Sequence, residues 1–245
     1  MAGRIALIAG ATALAAGWLF DGHLPGRAEL LPAVLEEPAQ TMLASAPAFS
    51  AHAGKVDYRV APVADYDITG LVVSRHDSDT WWDWIHAASN DHLNVVDLCV
   101  VWGANAASGA YQKMSFSSGQ FVCYYESRDM DALAPANVRA LSNNHLLTEN
   151  PIIARQLRKV AVGDQVRLRG QLASYSHNAG FAFTRGTSLT REDTGNGACE
   201  TIFVTDLEVL RNGPGWPRAL RWIGAALLAF GLIAWFAAPH RPRQG

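Results

Sequence analysis

Seven side chains suited to metal or proton chemistry crowd one short stretch of this 245-residue chain: His76, Asp77, Asp79, Asp83, His86, Asp91 and His92. Imidazole and carboxylate groups at that density suit a divalent cation. Their spacing matches neither His-Glu-x-x-His nor an EF-hand loop, and carboxylates at a helix start also favour the helix dipole. A capped, solvated helix is therefore expected, with no metal and no cofactor. A second candidate is Asn143-Asn144-His145, where a histidine titrating near neutrality could act as a general base. No Gly-x-Ser-x-Gly elbow accompanies it, but Cys123 or Cys199 could supply a thiol partner. The competing expectation is a loop turn held by the Asn and His side chains.

Three further groups could bind rather than react. Arg167 and Arg169 lie two residues apart on a strand-like run and so share a face; with Arg185, and Arg191 beside it, they could line an anion groove, since guanidinium forks match carboxylate and phosphate. Pairing with nearby Asp and Glu is the alternative. Trp81, Trp82 and Trp84 cannot all occupy one helix stripe, so some should fill the core while another meets a partner, a sugar ring or the membrane interface. Thr194-Gly195-Asn196-Gly197-Ala198-Cys199-Glu200 resembles a backbone anion cradle, though a tight turn into a strand explains it as well.

Charge narrows the partners. The whole chain carries −2, but Arg4, Arg218, Arg221, Arg241 and Arg243 flank apolar segments, leaving 15 basic against 22 acidic residues between them, or about −7. A nucleic-acid binder needs the opposite balance, because Lys and Arg neutralising phosphates supply most of its affinity. Of the three cysteines, Cys99 and Cys123 are the favoured disulfide, since both sit in strand-like runs that could be neighbours. Three buried, reduced cysteines are the alternative.

The elements that must position these residues follow from local pattern. Strands are expected at Asp67–Arg75, Asn94–Trp102, Gln120–Tyr125, Gln165–Tyr175 and Glu200–Leu210. Asn94–Trp102 is apolar on both faces and so central. Ser78 or Asp79 should cap a short helix to about Ala88, and Asn150-Pro151 opens another to about Val160. Residues 103–119 read as a long loop or hairpin end, and 181–189 as a short extended piece. Residues 21–55, rich in Ala and Pro, read as a linker with one short helix around 28–37, ahead of a domain at 56–212.

Apolar segments bracket this domain. Trp222–Ala238, within a helix expected over 218–239, meets the lower limit of about 17 residues for a membrane span. It has tryptophans near both ends and arginines outside them, with a short basic tail at 240–245. Ile5–Phe20, within residues 1–20, reads as an uncleaved anchor or a signal peptide. Arginines near the membrane are too evenly divided to orient the chain, so export of the domain rests on the N-terminal segment. The expected place is the bacterial inner (plasma) membrane, with the central domain extracytoplasmic.

The fold class expected is mainly β with short helices (α+β). The order of strands, capped helix and closing strand resembles an oligonucleotide/oligosaccharide-binding (OB) small barrel, flanked by N- and C-terminal transmembrane helices. HDSDTWWDWIH, DLCVVWGANAASGAY, LSNNHLL and RGTSLTREDTGNGACE resemble segments of a group of bacterial membrane-associated proteins. That resemblance implies a membrane-associated, exported domain and carries no catalytic residue over. The expectation is thus a non-enzymatic binding or scaffold module of the cell envelope. Its partners would be the lipid bilayer and another envelope protein or a small anionic ligand, met through Trp81, Trp82, Trp84, Arg167, Arg169 and Arg185. The competing expectation is an envelope hydrolase using His145 with a nearby carboxylate or thiol.

Overall fold

Inward residues alternate with outward ones along Val56–Asp77, where Val56, Tyr58, Val60, Tyr66 and Ile68 are buried, and that period of two makes these 22 residues one strand. In the computed structural model, which describes residues 2–20, 22–190, 192 and 199–237, this strand is β3. It follows β1 (Ala39–Met42) and β2 (Phe49–Ala53), both of which pair with it antiparallel. Residues 21–55 are therefore not a plain linker: two short 3-10 turns, Arg27–Glu29 and Pro32–Leu35, precede two strands whose partner lies later in the chain. The central unit accordingly spans Leu24–Gly213, and the terminal segments form a unit of their own.

After β3 come α2 (Trp84–Ala88; α1 is the N-terminal helix, Ala2–Leu19), β4 (Asn94–Val101), α3 (Gly103–Ser108), β5 (Met114–Gly119), β6 (Val122–Ser127), α4 (Pro135–Arg139), β7 (Leu141–Leu147), α5 (Pro151–Leu157), β8 (Gln165–His177), β9 (Phe183–Arg185), β10 (Glu200–Arg211) and α6 (Trp216–Phe236). The protein is mixed α+β, mostly sheet with short helices. Pairings run β3–β4, β4–β7, β7–β10, β10–β8 and β8–β3, so these five strands form a closed circuit. Only β7–β10 is parallel; the others are antiparallel.

Closure needs tight curvature, and two devices supply it. Register shifts interrupt β3 at Pro62/Ala64 and β10 at Val204/Asp206, which bends the strands as bulges do. A Cβ on Gly170 would sit 2.1 Å from the Phe203 carbonyl oxygen, so only glycine lets β8 approach β10 there. Inside, Ile68, Val72, Leu98, Leu146, Leu168 and Ile202 pack together with Leu157 and Val160 at the end of α5. Each buried branched side chain of this kind contributes roughly 1.5–3 kcal/mol over leaving it in water.

Helix α5 begins where Asn150 Oδ1 accepts from the Ile152 amide at 2.8 Å and Pro151 occupies the first helical position, as its local chemistry dictates. The stretch expected as a loop over 103–119 is better ordered: it holds α3, a 3-10 turn and β5. Strands β5 and β6 form a separate two-stranded sheet, fastened to β4 by a Cys99–Cys123 disulfide with Cα atoms 5.8 Å apart.

In the terminal unit α6 is the one described helix long and apolar enough to cross a membrane; α1 is apolar but shorter. The two pack antiparallel with glycines at the contact. A Cβ on Gly10 would lie 2.8 Å from the Leu228 amide, and one on Gly224 2.6 Å from that of Leu14. Gly3, Gly10 and Gly17 recur every seven residues, as do Gly224 and Gly231, which keeps them on one helix face. The tail expected at 240–245 lies outside the described residues.

Candidate active site

Three adjacent strands bring a carboxylate, an imidazole and a thiol together. In β4 all eight residues are buried, because β3 and β7 flank it on both sides. Asp97 pairs with His145 of β7 and Cys99 with Asn143, so these four side chains share one sheet face. Beside β7, β10 runs parallel with Thr201 opposite His145. That register delivers Cys199, just ahead of the strand, against Asn143, whose Nδ2 donates to Cys199 Sγ at 3.9 Å. The loop expected at Asn143-Asn144-His145 is thus corrected: LSNNHLL is a strand buried at every position. Its polar side chains face inward and donate mostly to distant elements, so it shows no outward polar alternation.

His145 Nδ1 and Asp97 Oδ1 are 2.8 Å apart, and each side chain is 1% exposed. Asn94 Nδ2 donates to the same Asp97 oxygen at 2.8 Å. Burial works against charge on both members, yet the Asp97 carboxylate raises His145 to about 9. For Asp97 burial likewise pushes upward, but the His145 charge and the His145 and Asn94 hydrogen bonds hold it below the ordinary carboxylate value. Both directions favour the charged forms, a proton on His145 and none on Asp97. Burial alone would raise the Cys199 thiol, and the influence of His145 and Asn143 lowers it. Cys199 is only partly buried, so the thiol is the accessible member of the three.

Two groups cover the imidazole. Arg185 Nη1 lies 3.2 Å from His145 Nε2, and its guanidinium carbon sits 3.7 Å from the centre of the Phe121 ring. A guanidinium donates only to an unprotonated Nε2, so protonation of His145 excludes this Arg185 contact. Phe121 occupies the β5–β6 turn at φ +64°, an unusual conformation for a bulky residue. Its carbonyl accepts from Asn143 Nδ2 at 3.2 Å and lies 4.0 Å from Cys199 Sγ.

A second cluster adjoins the first. His76 Nε2 and His86 Nδ1 both lie 2.5 Å from Asp83 Oδ2, and His86 Nε2 is 3.1 Å from Asn94 Nδ2. Asp83, not Ser78 or Asp79, caps α2 by accepting from the His86 amide. Of the other residues in that stretch, Asp77 pairs with Arg75 and Asp79 with Arg158. Asp91 accepts from the Tyr175 hydroxyl at 2.6 Å. The helix expected here as solvated is therefore buried on its histidine side.

No family model, no curated protein and no solved structure matches the chain. The three arginines expected at one anion groove have separate partners: Arg167 forks onto Asp67 at 2.9 and 2.6 Å, Arg169 pairs with Asp206, and Arg185 reaches His145. Trp81, Trp84 and Trp82 are 96%, 69% and 46% exposed, with Trp82 edge-on to His76. Arg191 and residues 194–198 of the expected cradle lie outside the described residues. Sequence reasoning missed Asp97 as a functional carboxylate, although one acid inside the apolar run NVVDLCVV was the available signal.

Proposed function

We propose that the chain is a membrane-anchored envelope protein whose central unit is an OB-type small barrel performing thiol-dependent acyl transfer or hydrolysis. One observation carries the chemistry: His145, held at Nδ1 by Asp97, lies two residues along β7 from Asn143, its neighbour on the same sheet face, and Asn143 meets the free Cys199. In this reading the Cys199 thiolate attacks the carbonyl carbon of an ester, thioester or amide, and His145 protonates the departing group. Water, deprotonated by the same imidazole, then releases the acyl group. Arg185 has to leave Nε2 as substrate arrives.

The barrel reading is supported by the five-strand circuit, its single parallel pair and the helix between β7 and β8. A retained N-terminal anchor is supported by the glycines of α1 meeting the α6 backbone, and an oxidising, extracytoplasmic compartment by the Cys99–Cys123 disulfide.

Iodoacetamide tests the chemistry directly, because Cys199 is the one free cysteine. Alkylation of the native protein should reach half its maximal rate below the free-thiol value of about 8.5. His145→Gln and Asp97→Asn should move that midpoint back toward it. An ordinary thiol profile in the unaltered protein would end the proposal. With a lowered midpoint, a panel of esters and thioesters compared with Cys199→Ser identifies the acyl class.

A second reading rests on the exposed Trp81 and Trp84, which suit a contact with another envelope protein. Trp81→Ala with Trp84→Ala should then abolish a specific crosslink in intact cells while leaving Cys199 alkylation unchanged.

A further inference from the structure

We propose that His76, Asp83 and His86 form a binding site for one zinc-class divalent ion, distinct from the thiol site. The three donors come from different places: the end of β3, the cap of α2 and its first turn. The fold nevertheless brings their ligand atoms within 4.8 Å of one another, all three residues being buried. Both ring nitrogens point at a single carboxylate oxygen. Two imidazoles and a carboxylate suit zinc, cobalt or nickel, whereas calcium and magnesium prefer oxygen ligands alone.

Binding asks the donors, now within 4.8 Å of one another, to reach a common spacing. Ligand bonds of about 2.0–2.2 Å in a tetrahedron place donor atoms roughly 3.3 Å apart. The two contacts to Asp83 Oδ2, now 2.5 Å, would open by under an ångström. A fourth position is also at hand. A cleft of about 390 Å³ is lined in part by Asp83, His86, Asn94, Ser78 and Asp91, so solvent stands next to the buried cluster. The opposite side is apolar: Trp82 packs edge-on against His76, and Phe121 lies 3.8 Å from His86, centre to centre.

The surrounding shell offers the partner that a metal-bound imidazole requires. His86 coordinating through Nδ1 carries its proton at Nε2 and needs an acceptor there. Asn94 stands at that nitrogen, and its Oδ1 has no hydrogen-bond partner among the described residues. A half-turn of the amide presents this oxygen to His86. The half-turn would also set that oxygen against Asp97 Oδ1, now 2.8 Å from Nδ2, so the amide must swing away from Asp97, which keeps its bond to His145.

The full-length protein in detergent, stripped with a chelator, is titrated with zinc and with cobalt. One ion per chain at micromolar affinity or tighter is expected, and cobalt should develop the absorption of a four-coordinate site. Zinc should raise the melting temperature. His76→Gln and His86→Gln should each weaken binding by about 100-fold or more and abolish that rise, while Cys199→Ser keeps both. X-ray absorption at the bound zinc needs no variant: two imidazoles with oxygen support the assignment, and sulfur in the first shell overturns it. Failure to bind one equivalent, or equal binding by His76→Gln and His86→Gln, also overturns it. None of these readouts depends on Cys199, so the acyl-transfer reading stands or falls separately.

Discussion

At the scale of single residues, the Asp97–His145 pair makes stability depend on pH in a definite direction. Folded His145 keeps its proton to about pH 9, but an unfolded histidine loses it near pH ~6.5. Its stabilising contribution is thus complete below pH ~6.5 and disappears as pH rises through 9. Folded Asp97 lies below the ordinary carboxylate value, so its contribution is present above pH ~3.9 and is lost as pH falls further. The window common to both is about pH 4–6.5. Asp97→Asn should cost about 3 kcal/mol there, because it leaves a buried imidazolium unpaired. The difference from the unaltered protein should shrink by pH 9.5. Urea denaturation at pH 5.5 and 9.5 checks this; an equal loss at both would mean that Asp97 serves only as a neutral hydrogen-bond partner.

At the scale of elements, the β5–β6 hairpin decides how far the site is open. Cys123 ties the hairpin to β4, and Phe121, two residues earlier, lies between His86, His145 and Arg185. Closing a loop between residues 24 apart is worth on the order of 3 kcal/mol. Cys99→Ser with Cys123→Ser should lower stability by about that much and speed alkylation of Cys199 several-fold, as the hairpin and its ring lift away. Unchanged alkylation in the double variant would show that Phe121 is held by its own packing. The same elements show what can be read from sequence. Strand β4 and helix α5 announce themselves through a run of apolar residues and an Asn-Pro cap, both local signals. Strand β7 does not: the side chains of Asn143, Asn144 and His145 bond to Phe121, Leu98 and Asp97, which lie 22 to 48 residues away. Strands β1 and β2 are hidden for a related reason, since an Ala- and Pro-rich stretch becomes strand only through pairing with β3. His145 was recognisable by residue type, whereas its alignment with Asp97 and Cys199 is a property of strand register.

At the scale of the whole molecule, the helices of the terminal unit determine how the chain is held. The contacts of Gly10 and Gly224 are with backbone, so a larger side chain must push the helices apart. Gly10→Leu or Gly224→Leu should lower the melting temperature of the helix pair in detergent, while Cys199 alkylation keeps its rate. Intact mass of the protein recovered from membranes tests retention of α1: about 26.4 kDa is expected, and loss of the N-terminal residues would mean that α1 is removed. The ring centres of Phe20 and Trp216 lie 5.2 Å apart, so the chain departs from the helix pair and comes back at the same end. Were both helices in the bilayer, as proposed, a protease that nicks the central unit once would leave each fragment still moored by its own helix. Shedding a soluble piece would take two cuts, one on each strap.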